Sequence, residues 1–231
     1  MVRHVLQGEP PIEVQLRRSA AARRLSLRVS RMDGRVTLTL PRHAREAQGL
    51  AFLKERQGWL RDQLAGLEPV RMPAPGAAFP LEGQELILAS GPGRAPRIEN
   101  GHLIVPGDPA ALPARLQGWL RARARDRLAA ASDRHAAALG RPYSRLTLRD
   151  TRSRWGSCSS TGGLMYSWRL IMAPPEVLDY VAAHEVAHLA QMNHGPAFWA
   201  EVTRLCPDWR SHRRWLSSQG ESLMRWRFTD D

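Results

Sequence analysis

His184-Glu185-Val186-Ala187-His188-Leu189-Ala190-Gln191-Met192-Asn193-His194 is the stretch around which the rest of the chain is organised. Two histidines four apart on a helix project from one face, one turn above the other. That spacing lets two imidazoles grip one ion at the Zn–N distance of roughly 2.0–2.1 Å. Glu185 lies about 100° round the helix from His184 and can reach water at such an ion without being a ligand. One more helical turn and a reversal bring His194 back as a third imidazole. Asn193 suits the left-handed conformation that a reversal needs, and Pro196 suits the first turn of a new helix.

The surroundings support a metal. The pattern predicts a helix over 175–192, started by Pro174-Pro175-Glu176 and filled by Val177, Leu178, Tyr180, Val181, Val186 and Leu189. A helix that is apolar nearly all round is buried. Two histidines and a glutamate buried there without partners are costly, whereas an ion satisfies all three. Structural zinc sites favour cysteines and a closed shell; three histidines and a glutamate leave a position for water. Glu201 and His212 compete with His194 for the third place, and His194 is nearer in sequence.

The chain has 231 residues and a formal net charge of +12; of its 34 basic residues only Lys54 is not an arginine. A GC-rich coding sequence explains arginine in place of lysine but not the excess of positive charge. A nucleic-acid or phosphate-bearing partner therefore stays open beside the plainer reading, a solvated basic surface. Cys158 and Cys206 form no CxxC pair, so neither a disulfide framework nor a cysteine zinc site is indicated. Without an apolar leader, or any run of about 18 apolar residues, no membrane partner is indicated and a soluble cytoplasmic protein is expected.

Three alternating segments, Ile12-Val14-Leu16, Leu25-Leu27-Val29 and Val36-Leu38-Leu40, predict a half-buried antiparallel sheet, with Asp33-Gly34 as a hairpin turn. From residue 44 the period becomes helical through Leu50, Leu53, Leu60, Leu64 and Leu67. This makes 10–68 a three-strand plus helix module. The proline-rich stretch 69–80 reads as a linker. A similar plan then repeats: Leu86-Ile87-Leu88, an Asn100-Gly101 turn, Leu103-Ile104-Val105, and a long helix from 109 to 139. Gln57-Gly58-Trp59-Leu60-Arg61 recurs as Gln117-Gly118-Trp119-Leu120-Arg121, a short match that a duplicated unit explains. His135, on this second helix, reads as packing, with contact to the metal site as the minor alternative.

Residues 144–150 alternate as a strand. A polar loop with Arg152 and Arg154 follows, then a strand through Leu164, Tyr166, Trp168 and Leu170 whose edge can hold an extended peptide. Arg152 and Arg154 suit an anionic substrate group or a developing oxyanion, with surface solvation or carboxylate pairing as the plainer alternative. Cys158, with no base beside it, reads as a small buried residue. Phe198, Trp199, Trp209 and Trp215 read as a cover over the metal helix.

Taken together, Arg154-Trp155-Gly156-Ser157-Cys158, Trp168-Arg169-Leu170, Asp179-Tyr180-Val181, the histidine stretch, Phe198-Trp199, Cys206-Pro207-Asp208 and His212-Arg213-Arg214-Trp215-Leu216 closely resemble the YgjP-like metallopeptidases. The resemblance covers nearly the whole chain and is strongest from 145 to 217. That family is similar to the WLM and SprT-like zincins. The resemblance implies an α+β fold, with N-terminal antiparallel strands plus helix followed by a zincin-like part (81–231) carrying a small mixed sheet and the active-site helix. It implies His184, His188 and His194 as ligands of one Zn²⁺ and Glu185 as general base. Ser167 stands where the family is expected to have Asn, and Gln191 stands where metzincins need Gly. The reaction expected is hydrolysis of a peptide or protein substrate. The alternatives are nucleotide (UTP) pyrophosphate hydrolysis at the same metal, and a nucleic-acid-associated module whose metal is structural.

Overall fold

The computed structural model describes residues 2–30, 34–67, 69–151 and 154–228. The chain divides into two compact units, Met1–Val70 and Arg71–Asp231.

In the first unit the alternating segments become β2 (Ile12–Ser19), β3 (Ser26–Val29) and β4 (Val36–Pro41), preceded by a further strand, β1 (Val2–Leu6). The sheet order is β1-β2-β4-β3. The outer pairs are antiparallel, but β2 and β4 run parallel with Leu16 opposite Leu38, which corrects the all-antiparallel expectation. Burial accounts for it. Val36, Leu38 and Leu40 are buried on β4 whereas no residue of β3 is, so the more apolar strand takes the centre. Asp33 lies outside the described residues; Gly34 completes the turn with φ of 69° and an N–H bond to the Ser30 carbonyl of 2.8 Å. The single expected helix is two, α1 (Glu46–Glu55) and α2 (Gln57–Ala65), parted at Arg56. Leu53 and Leu60 still enter one core with Ile12, Val14 and Leu38.

The stretch 69–80 is not a free linker. Arg71 bridges to Trp226, Gly76 donates to the Leu88 carbonyl, and β5 (Ala78–Leu81) begins inside it, because Phe79 is fully buried in the second unit's core. β5, β6 (Gln84–Gly91), β7 (Arg97–Glu99) and β8 (His102–Pro106) form a sheet of order β5-β6-β8-β7. Its pairs are antiparallel, parallel and antiparallel, as in the first unit. The repeated pentapeptide falls on the helices that follow the two sheets, with Leu60 and Leu120 both fully buried. The repeat in sequence is thus also a repeat of topology.

Helix α3 (Leu112–Leu139) lays Leu116, Leu120, Ala124, Leu128 and Ala131 on this core and stops at left-handed Gly140. A second sheet, order β10-β11-β9, is built from β9 (Arg145–Arg149), β10 (Gly156–Cys158) and β11 (Gly163–Ser167). It is mixed, β11 being antiparallel to β10 and parallel to β9. The strand expected to run through Trp168 and Leu170 stops at Ser167. Residues Trp168–Met172 wind into a 3₁₀ turn in which all five side chains are buried, so no exposed face remains for a strand to alternate against. Arg169 anchors that turn. It grips Asp150 with two hydrogen bonds (2.6 and 3.1 Å) and donates to the Leu223 and Trp226 carbonyls.

Helices α4 (Pro175–Ala187), α5 (Pro196–Leu205) and α6 (Trp209–Met224) complete the unit. The β5–β6 turn sets the start of α4. Glu82 N–H donates to the Ile171 carbonyl, and Gly83, at φ of 76°, lies so close to Pro174 that a Cβ would sit 3.0 Å from its Cα. Glu82 also pairs with Arg123 and Arg127 of α3. Further along, Asp179 of α4 accepts from Arg134 (2.8 Å) and His135 (3.0 Å) of α3, so His135 joins two helices rather than serving the histidine cluster. No helix among the described residues is long and apolar enough to cross a membrane.

Burial by itself would raise the Asp179 carboxyl, but His135 and Arg134 outweigh it and hold the group below its ordinary 3.8. A carboxyl depressed on folding contributes stability above its unfolded pKa and loses it as pH falls through the folded value. Asp179→Asn is therefore expected to cost about 1 kcal/mol at pH 7, a modest figure because the side chain is 32% exposed. The difference from the parent should shrink as pH falls below the ordinary 3.8, and urea unfolding at stepped pH checks it. A constant difference across that range would contradict the pairing.

Candidate metal centre

Helix α4 ends earlier than the expected 192. Leu189 and Ala190 donate to carbonyls three residues back, Val186 and Ala187, so the last turn tightens and His188 becomes the C-cap. The reversal follows without any left-handed residue. Gly195 has φ of −81°, and the non-glycine positive-φ residues among those described are Glu82 and Asn100, so Asn193 does not take the expected role. Instead Gly195 N–H bonds the Asn193 carbonyl at 2.7 Å across a three-residue turn with His194 at its apex, and Pro196 opens α5.

This path brings His184, His188 and His194 together, with one ring nitrogen from each within 4.8 Å of the others. His184 Nε2 and His194 Nε2 are 3.2 Å apart. His188 Nδ1 lies 3.0 Å from the Gln191 carbonyl. A carbonyl only accepts, so Nδ1 carries the proton and Nε2 keeps its lone pair. Phe198 packs against all three rings, stacked on His188 at 4.4 Å and edge-on to His184 and His194 at 4.9 and 4.7 Å. Trp199, itself stacked on Trp209 at 4.3 Å, backs His184 and His194.

The trio fits a metal. Burial, with His188 and His194 alongside, pushes His184 down to about 3, and burial likewise depresses His188, so both stay neutral with lone pairs available. Nitrogens sharing a tetrahedral ion at about 2.0–2.1 Å lie roughly 3.3 Å apart, close to the separation of the two Nε2 atoms. His184 Nδ1 is buried without a partner among the described residues. The competing ligands are engaged elsewhere: Glu201 is paired with Arg204, and His212 packs near Tyr180.

Glu185 is 6% exposed. Burial pushes its carboxyl up to about 8, and Arg154 pulls it back in part. It stands against Gly156 at the start of β10, where an added Cβ would lie 2.5 Å from Oε1. Only glycine permits that approach. Glu185 and His184 line a cleft of about 330 Å³ with Trp155, Tyr180, Arg213 and Leu216. Tyr180 and Arg213 were not singled out from the sequence as site residues. The signal for Tyr180 is its place four before His184 on the stripe that continues to His188. For Arg213 it is the i, i+3, i+4 face shared with Leu216 and Ser217, both in the cleft wall.

Of the two arginines expected near substrate, Arg154 is exposed and within electrostatic reach of Glu185, and Arg152 lies outside the described residues. Cys158 is half-buried, with its thiol pushed up to about 11 by burial and by Glu185, so it is no nucleophile at neutral pH.

Phe198 is fully buried against all three imidazoles. Phe198→Ala is expected to cost about 3–5 kcal/mol in chemical denaturation and to weaken divalent-ion binding in titration. Unchanged ion affinity in the folded variant would show that the rings are positioned without it.

A family model described as YgjP-like, metallopeptidase domain, matches residues 23–219. Among solved structures, the metallopeptidase zymogen of Pyrococcus abyssi abylysin is similar to this chain at 19% identity and a TM-score of 0.37, covering 40% of this chain and 95% of that one. No curated protein matches. Matched over well more than half its length, the chain belongs to the YgjP-like metallopeptidase family and is in general terms a metal-dependent peptidase.

Proposed function

We propose that the protein is a zinc-dependent peptidase in which His184, His188 and His194 hold one Zn²⁺ and Glu185 is the general base. The convergence of three imidazoles beside a buried carboxylate that is not one of the cluster carries this reading. Nitrogen donors with no thiolate suit zinc in an open, catalytic type of site. Bound there, the ion supplies Lewis acidity, lowering the pKa of water toward about 7 and polarising a carbonyl.

The chain's own residues do the rest. Glu185, whose carboxyl a bound cation would draw back down from about 8 into its ionised form, takes the proton of the attacking water and delivers it to the leaving nitrogen. Gly156 lets that carboxylate stand close to β10. Strand β10, not β11, is an open edge of its sheet, so an extended peptide can add there by backbone hydrogen bonds and lie alongside Glu185. Tyr180 and Arg213 supply donors to the cleft for charge developing on the substrate carbonyl. We assign Arg154 to an anionic group of the substrate, and Arg152, its neighbour in sequence, to the same task.

The test compares the wild type with Glu185→Gln, His188→Ala and Gly156→Ala, each assayed for zinc content and offered unfolded protein and UTP. Glu185→Gln should keep zinc and lose about 10²–10⁴-fold in turnover. His188→Ala should lose zinc. Gly156→Ala, which displaces Glu185, should keep zinc and lose about 100-fold. New peptide termini name a peptidase, whereas released pyrophosphate from UTP names a nucleotide hydrolase. Absence of stoichiometric zinc in the wild type would overturn the reading.

A further inference from the structure

The outer face of the second unit's mixed sheet carries a charge arrangement that the hydrolytic machinery does not use. On β9, Leu146 and Leu148 pack against the core, so Arg145, Thr147 and Arg149 stand on the opposite face. Across the sheet Arg145 is level with Gly163, and Thr147 with Met165, which is level in turn with Ser157 of β10. Glycine and serine beside long arginine arms leave a trough of about 600 Å³, walled by Arg145, Arg149 and Arg154 and floored by Thr147, Ser157 and Met165.

Among the described residues no acidic one lines this trough. The nearest in sequence, Asp150, has both oxygens taken by Arg169. Among the described residues no carboxylate pairs with Arg145 or Arg149. Arg123, Arg127, Arg134, Arg169 and Arg204, by contrast, are all matched to acids. Like charges gathered without a counter-charge repel one another, and a planar carboxylate from outside would relieve that with charge-assisted, two-pronged hydrogen bonds.

The trough neighbours the cleft along β10. Gly156 of β10 lines the cleft at Glu185, and the next two residues, Ser157 and Cys158, line the trough; Arg154 belongs to the trough and acts on Glu185. A peptide added to the β10 edge points alternate side chains over this face. From there β9 is three strand spacings away, ~14–15 Å, a gap that an extended glutamate, an extended arginine and the hydrogen bond between them span together.

We infer that the trough is a specificity site for acidic side chains of the polypeptide being cleaved, with Arg145 and Arg149 reading Asp or Glu near the scissile bond. This rests on the peptidase reading above.

The experiment uses the full chain carrying Glu185→Gln and measures fluorescence anisotropy of a labelled, glutamate-rich extended peptide and of its glutamine counterpart. The acidic peptide should bind about tenfold or more tightly at low salt, with the gap narrowing as salt rises. Adding Arg145→Gln and Arg149→Gln together should erase the preference while leaving the glutamine peptide's binding unchanged. Equal binding of the two peptides, or a preference that survives the double substitution, overturns the inference. So does an oligonucleotide of matched charge that binds more tightly than the acidic peptide and displaces it, since the trough would then serve nucleic acid. Digestion of the same peptides by zinc-loaded wild type separates the two claims. Arginine-dependent acidic binding without cleavage upholds the trough and overturns the peptidase; cleavage of both peptides at equal efficiency overturns the trough and upholds the peptidase.

Discussion

Burial of α4 is the constraint on which the rest of the second unit depends. Val177, Leu178, Val181, Ala182, Ala183, Val186 and Ala187 are all buried, with neighbours from α3, α5, α6, β10 and the 3₁₀ turn before it. A helix packed on so many sides has little freedom to place polar groups. The three histidines are gathered in one cluster, and Glu185 shares a cleft with His184, so the polar groups are not scattered through the apolar core. The two ends of the helix are fixed by different means. Glu82, Gly83 and Asp179 tie its first turns to the β5–β6 turn and α3, while Phe198 and Trp199 of α5 hold the imidazoles at its end.

A second buried polar centre holds the mixed sheet to the end of α6. Arg169 joins the end of β9, through Asp150, to the carbonyls at the end of α6, and its guanidinium lies over Trp168 and Phe228. A charge so deeply placed needs its donors matched, and four hydrogen bonds serve its five N–H groups. Ser167 N–H meets the Trp155 carbonyl just before the turn, so the same anchor sets β10 at the distance where Gly156 touches Glu185. The small sheet is therefore one wall of the cleft as well as the floor of the basic trough.

Much of this was legible in the residues, and the failures have local causes. The four-residue histidine spacing, the Asn100-Gly101 hairpin turn and the long stripe of α3 are short-range signals, and the structure has each of them. Strand partners are long-range: nothing within β3 or β4 says which of them will lie beside β2, because the contest is decided by relative burial. The break at Arg56 and the early end of α4 depend on single backbone hydrogen bonds that apolar periodicity does not encode. At Trp168–Met172 the strand signal failed because every side chain is buried, leaving no period to read. Tyr180 and Arg213 were hidden for a related reason. Each sits where a core residue or a solvated arginine is expected, and only the fold shows that the two share a cleft.

The central claim is that three imidazoles, and no other side chain of this protein, hold one zinc. X-ray absorption at the zinc edge of the stoichiometrically loaded protein tests it most directly. The account predicts three imidazole nitrogens and one further light atom at about 2.0–2.1 Å, with no sulfur shell. Sulfur at about 2.3 Å, or a closed four-nitrogen shell, would contradict it and make the site structural.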